Sequence, residues 1–158
     1  MTGFRPGLLD RLMAPPRAAG CGVAPGIEQL KDSVARDLEA LLNTRIGPGA
    51  AQLDGYPEAR ASILHYGLVD FAGCCLTSSA DRAALCASIE EAIATHEPRL
   101  LDVRAVLEPA AGDVNRLQFA IHARLAADGL AEPVNFNAVL QPSSLHYEIN
   151  RSARPARS

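Results

Sequence analysis

Apolar positions along this chain change period once, near residue 100. Before it they recur every three to four residues; after it they recur every second residue. Ile27, Leu30, Val34, Leu38, Leu41 and Leu42 share one stripe, with Glu28, Asp32, Arg36 and Glu39 between them. This spacing predicts an amphipathic helix over 27–43, halted before Gly47-Pro48-Gly49. Tyr56-Pro57-Glu58 predicts a second, short helix with proline in its first turn. Gly67 after Tyr66 reads as a left-handed cap, and 68–73 as an apolar connector. A third helix is expected from near Ser78 to His96: Ser78 and Asp81 resemble a capping box, and Leu85, Ile89 and Ile93 line one face.

Beyond Leu100, four segments alternate. Leu101, Val103, Ala105 and Leu107 form the first apolar set, and Leu117, Phe119, Ile121, Ala123 and Leu125 the second. Val134, Phe136, Ala138 and Leu140 form the third, and Leu145, Tyr147 and Ile149 the fourth. Turns are expected at 109–113, at Asp128-Gly129 and at Pro142-Ser143-Ser144. One apolar and one polar side per strand is the mark of an antiparallel sheet covered on one face. The expected fold is α+β: N-terminal helices packed on one face of a three- or four-stranded antiparallel β-meander. Residues 1–25 read as a flexible arm with a short helical knob (Leu8, Leu9, Leu12). Residues 26–150 read as the folded domain and 151–158 as a disordered basic tail.

Composition narrows the function classes. The chain's 158 residues fit one domain, and 48% hydrophobic content supplies a core, although aromatics are only 4%. A net charge of −3 and a pI near 5.8 argue against a nucleic-acid partner. No apolar run is long enough to cross a membrane, and the N-terminus is broken by Arg5, Pro6, Asp10 and Arg11, so no secretory signal is expected. The chain reads as cytoplasmic. Cys21, Cys74, Cys75 and Cys86 lack CxxC spacing and read as small buried hydrophobes. The histidines are scattered, with no ligand spacing, so neither metal nor cofactor is expected. His96 at a helix end can meet the helix dipole.

Glu97-Pro98-Arg99-Leu100 stands at the change of period. Proline stops the helix and holds Glu97 extended, two positions before Arg99. A carboxylate and a planar guanidinium on a rigid corner suit either a local ion pair or a docking contact. A glycosidase would need two carboxylates with one held as an acid. Glu90, Glu91, Glu97 and Asp102 are the clustered candidates, but Glu90 and Glu91 read as helix surface and Arg99 makes Glu97 a poor proton donor. No enzymatic activity is expected.

The order of segments is itself specific: an LLDRL knob, RDLEALLNTRIG, YPEARASILHYGLVDFAG, a capped helix ending EPRLLDV, and the meander. Over Leu8 to Ile149 this resembles the TssE family, the small baseplate wedge subunit of type VI secretion systems, similar to the gene-25 "lysozyme-like" wedge protein of contractile-tailed phages. The chain departs from the NYGLPD pattern of that family at His65 and Val69, keeping Gly67 and Asp70. The resemblance implies a structural part that binds larger wedge proteins of the TssF, TssG and TssK type and primes the contractile sheath. It favours Glu97, Pro98, Arg99 and Leu100 as a partner contact. The last strand, with Leu145, Tyr147 and Ile149, reads either as an ordinary edge blunted by Glu148, Arg151 and Arg154 or as an edge that accepts sheath strands. The sequence does not say which margin is open. Leu8, Leu9 and Leu12 read either as a knob folded back on the core or as a docking knob. With the corner as a partner contact, Arg99→Asp leaves the subunit folded and stops sheath formation. The alternatives are a peptidoglycan-cleaving enzyme and an unrelated α+β binding module.

Overall fold

The computed structural model describes Leu12 and residues 26–47, 50–53, 55–70, 78–108, 117–127, 130–141 and 144–151. Helix α1 spans Ile27–Asn43, α2 Pro57–Arg60 and α3 Ser79–His96; short 3-10 turns lie at Ala50–Leu53 and Ile63–His65. The strands are β1 Leu100–Glu108, β2 Leu117–Ala127, β3 Leu130–Gln141 and β4 His146–Arg151. They form one four-stranded sheet in the order β1-β2-β3-β4, each pair antiparallel. This is the expected α+β arrangement. The predicted turns at 109–113, Asp128-Gly129 and Pro142-Ser143, and most of the N-terminal knob, lie outside the described residues.

The helix boundaries follow local chemistry. Ser78 Oγ accepts the Asp81 N–H at 3.4 Å, capping α3 as expected. Leu30, Val34, Leu38, Leu41 and Leu42 of α1 are buried, as are Leu85, Ile89, Ala92 and Ile93 of α3. Both stripes rest on the inward residues of the sheet, among them Phe119, Ile121, Phe136 and Tyr147, all with 1% exposure or less. The core is thus aliphatic with few rings, and Phe119 and Tyr147 meet in a tilted pair at 6.3 Å.

Three details differ from the simple alternation. Leu101 is 44% exposed, although it opens the expected inward set of β1. The cause is an extra residue in β1: Leu101 faces Arg124 and Arg104 faces His122, so three steps in β1 match two in β2. Asp102, with φ of 53°, takes up the bulge, which sends Leu100 inward and Leu101 out. Leu145 precedes β4 in a turn with φ of 51° and is only half-buried. Arg151, read as tail, is the last residue of β4 and pairs with Glu28 and Asp32 of α1.

Gly67 is placed by a close approach. Its φ is +124°, and an added Cβ would stand 2.5 Å from the Thr44 carbonyl oxygen. That closeness lets the Leu68 N–H donate to Thr44 O (2.9 Å) and the Ile46 N–H donate to Leu68 O (2.9 Å). The two bonds stitch the end of α1 to the connector and bury Leu68.

Candidate interaction surfaces at the corner and the sheet edges

The corner is built by α3 ending and β1 beginning within four residues. Glu97 caps α3 with a non-helical backbone (φ −124°, ψ 76°), and its N–H still reaches Ile93 O. Its side chain turns inward: Glu97 is only 4% exposed. Arg99 folds back over it. Arg99 Nε donates to Glu97 Oε1 at 2.6 Å, and Nη2 donates to Glu97 Oε2. Nη2 also donates to Asp37 Oδ2 on α1. The Arg99 carbonyl accepts the Ala126 N–H of β2 at 2.8 Å. One residue therefore ties the corner, a helix and a strand together. The Glu97 bonds come first, ahead of those to Asp37, in raising the guanidinium above its already high range. Arg99 Nη1 is sealed from solvent, with no partner among the described residues.

Of the four corner residues, Glu97 and Leu100 are buried, Arg99 is half-buried and Pro98 is exposed. The pair is an intramolecular clamp first, and its third member, Asp37, was not foreseen. This changes the meaning of Arg99→Asp, because an aspartate here would face two carboxylates and strain the subunit itself. Beside the clamp, the His96 ring donates from Nε2 to His65 O at 3.0 Å and meets the Tyr66 ring edge-on at 5.3 Å. Burial lowers the His96 pKa; burial, then the Asp37 and Glu97 charges, raises that of Tyr66. His96 thus joins the connector packing in addition to closing a helix.

The last strand is an edge strand, as expected, but its outer margin is occupied. Asn43 at the end of α1 donates from Nδ2 to Tyr147 O, and its Oδ1 accepts the Tyr147 N–H; both distances are 2.8 Å. One turn earlier, Glu39 Oε2 accepts the Ile149 N–H at 3.3 Å. Arg45 closes the end of the strand, donating to Leu145 O (2.7 Å) and Leu42 O (2.8 Å) with its guanidinium 6.0 Å from the centre of the Tyr147 ring. Tyr147 and Ile149 are core residues, 1% and 8% exposed. Strand addition here requires the α1 hooks to be displaced.

The opposite margin is met by a helix side chain as well. Glu90 Oε1 on α3 accepts the Ala105 N–H of β1 at 2.8 Å. One turn earlier on α3 stands the half-buried Cys86, whose pKa burial pushes up. The spacings of Glu39 and Asn43 and of Ile149 and Tyr147 match because four helical residues rise ~6 Å and two strand residues ~6.6 Å. A helix running antiparallel to an edge strand can therefore present i and i+4 side chains to alternate backbone groups.

Beyond Arg151, β3 continues past the end of β4, and 130–135 has no strand partner on that side among the described residues. The alternation set by Tyr147 and Ile149 directs the Pro133 nitrogen to that side, where proline has no N–H to offer. Lys31 of α1 lies over this stretch and pairs with Glu132 at 2.7 Å.

The four candidate carboxylates are all held within the subunit. Glu90 bonds Ala105, Glu91 pairs with Arg60 at 2.8 Å, Glu97 with Arg99, and Asp102 with Arg124 at 3.4 Å. No cluster of three metal-ligating side chains occurs among the described residues, and no described helix is long and apolar enough to cross a membrane. Leu12 of the knob is 71% exposed; Leu8 and Leu9 lie outside the described residues. Further exposed apolar side chains between α1 and α3 are Tyr56, Ile63, Leu64 and Val69.

Comparison with known proteins places these features in a family. No curated protein sequence matches the chain. A solved structure described as "the baseplate complex from the type VI secretion system" contains a chain similar to this one, at 19% identity and a TM-score of 0.47. The likeness covers 72% of this chain and 96% of that one. Residues 28–129, from the start of α1 past the end of β2, match the family described as baseplate wedge protein gp25. The chain belongs to the gp25 family of baseplate wedge proteins.

Proposed function

We propose that this protein is a non-enzymatic wedge subunit in the baseplate of a contractile injection machine of the type VI secretion class. It binds larger wedge subunits of the TssF, TssG and TssK type and supplies the base on which the contractile sheath starts to assemble. It works in the cytoplasm, at the inner face of the membrane complex. The observation that carries this reading is the family match across α1, α3, β1 and β2, the elements that build the corner.

The chemistry of the corner supports a mechanical role. Arg99 joins Glu97 and Asp37, so a pull on the corner is shared between α1, α3 and the sheet. Pro98 and the solvent-facing part of Arg99 form its outer rim, and the rim is the part of the corner offered to a wedge partner. The knob of Leu8, Leu9 and Leu12 docks in a partner groove as a short amphipathic segment. Catalysis would require a carboxylate able to hand over a proton, and Glu97 has both oxygens committed to one guanidinium.

Purification of the tagged full-length chain from its native cells tests the role. Recovery of large baseplate proteins in fixed proportion to the chain is expected, and removal of residues 1–20 weakens it. Lysis of cell-wall suspensions by the pure protein, abolished in Glu97→Gln, would overturn the proposal.

A further inference from the structure

A four-stranded antiparallel sheet in a free subunit has two margins, and each offers backbone groups that another strand can complete. In this chain both are met by polar side chains from a helix. Glu39 and Asn43 of α1 serve Ile149 and Tyr147, and Glu90 of α3 serves Ala105. Where β3 outruns β4, Pro133 stands at the margin and Lys31 is drawn across to Glu132. The Glu39, Asn43 and Glu90 bonds fall on backbone groups that a further strand would use, and Lys31–Glu132 joins two side chains beside that row.

We propose that Glu39, Asn43 and Glu90 act as stand-ins for absent strands and keep this subunit from pairing edge to edge with a second copy of itself. The occupant they exclude is another copy because an antiparallel edge is self-complementary: β4 against β4, or β1 against β1, related by a two-fold axis. The hooks need no burial of new apolar surface, so they close the margins with polar contacts alone. This is a property of the isolated chain, and it stands or falls separately from the baseplate role.

The test replaces hydrogen-bonding hooks with side chains of similar length that cannot bond. Glu39→Met with Asn43→Leu, in the full chain, retains the helical circular dichroism and shifts light scattering from monomer to a concentration-dependent dimer or larger species across the micromolar range. In the associated form the Tyr147 and Ile149 amides remain protected from hydrogen exchange. A folded double variant that stays monomeric overturns the proposal, as does association that leaves those two amides exchanging freely. Should that variant fail to fold, the opposite margin decides. Glu90→Met associates, whereas Glu90→Gln, whose amide oxygen can still accept from Ala105, stays monomeric; two monomers overturn the proposal.

Discussion

The side-chain amide of Asn43 and the backbone of Tyr147 exchange two hydrogen bonds, each 2.8 Å, across 104 positions of sequence. Asparagine carries a donor and an acceptor in the same relation as a peptide group, so it completes the strand as a neighbouring peptide would. Asn43→Ala leaves the N–H and C=O of Tyr147 without partners at a half-covered margin. It is expected to lower unfolding free energy by about 1–3 kcal/mol in urea titration, with faster exchange at the Tyr147 amide. An unchanged midpoint would show the pair to be incidental.

Arg99→Met leaves Glu97 buried without its counter-charge, beside Asp37. Breaking such a pair from one side costs on the order of 3 kcal/mol. Arg99→Asp should cost more, since it gathers three carboxylates. Glu97→Gln combined with Arg99→Met should recover part of the loss, because the buried charge is then gone. Thermal melts of the four proteins check the order. A folded Arg99→Asp subunit with wild-type stability would return Arg99 to the role of a pure docking residue.

Gly67→Ala meets two obstacles at once. The backbone is at φ +124°, and the new methyl would stand 2.5 Å from Thr44 O. Relief means separating Leu68 from Thr44 and breaking the stitch that ends α1. A loss of at least ~2 kcal/mol is expected by denaturant unfolding, with Leu68 becoming accessible.

Much of this architecture is legible in the sequence, because local rules set it. Ile27–Asn43 is bounded by its own stripe, Ser78 announces α3, and the strands at Phe119, Phe136 and Tyr147 alternate cleanly. The bulge is not legible, since Leu100-Leu101 offers two equal apolar residues and only pairing with Arg124 and His122 selects the inward one. The corner is half legible. Glu97 and Arg99 are neighbours in sequence, but Asp37 lies 62 positions from Arg99 among ordinary polar residues of α1. Asn43 and Glu39 likewise look like the solvated side of a helix, and their work appears only when β4 is laid beside them. Which margin of the sheet is open to a partner is not legible in the sequence for that reason. The sequence places a strand at the end of the chain, and a distant helix decides whether its backbone is free.

Burial pushes the Tyr147 phenol up to about 12, against an ordinary value of 10.0. Above pH 10 the unfolded chain gains by ionising this tyrosine and the folded one does not. Stability is therefore whole below pH 10 and declines as pH rises through 12, by about 2–3 kcal/mol for this group. Tyr147→Phe keeps the ring and removes the proton. The difference in unfolding free energy between the two proteins should shrink or invert across that interval; a constant difference would show that the phenol ionises as freely in the folded chain.

The structural role in the baseplate is tested most directly by imaging fluorescently labelled sheath in native cells that lack this chain. That role predicts no extended sheaths, restored when the wild-type chain is returned and equally by Glu91→Gln, which removes a surface carboxylate paired with Arg60. Sheaths of normal number and length in cells without the chain would contradict it.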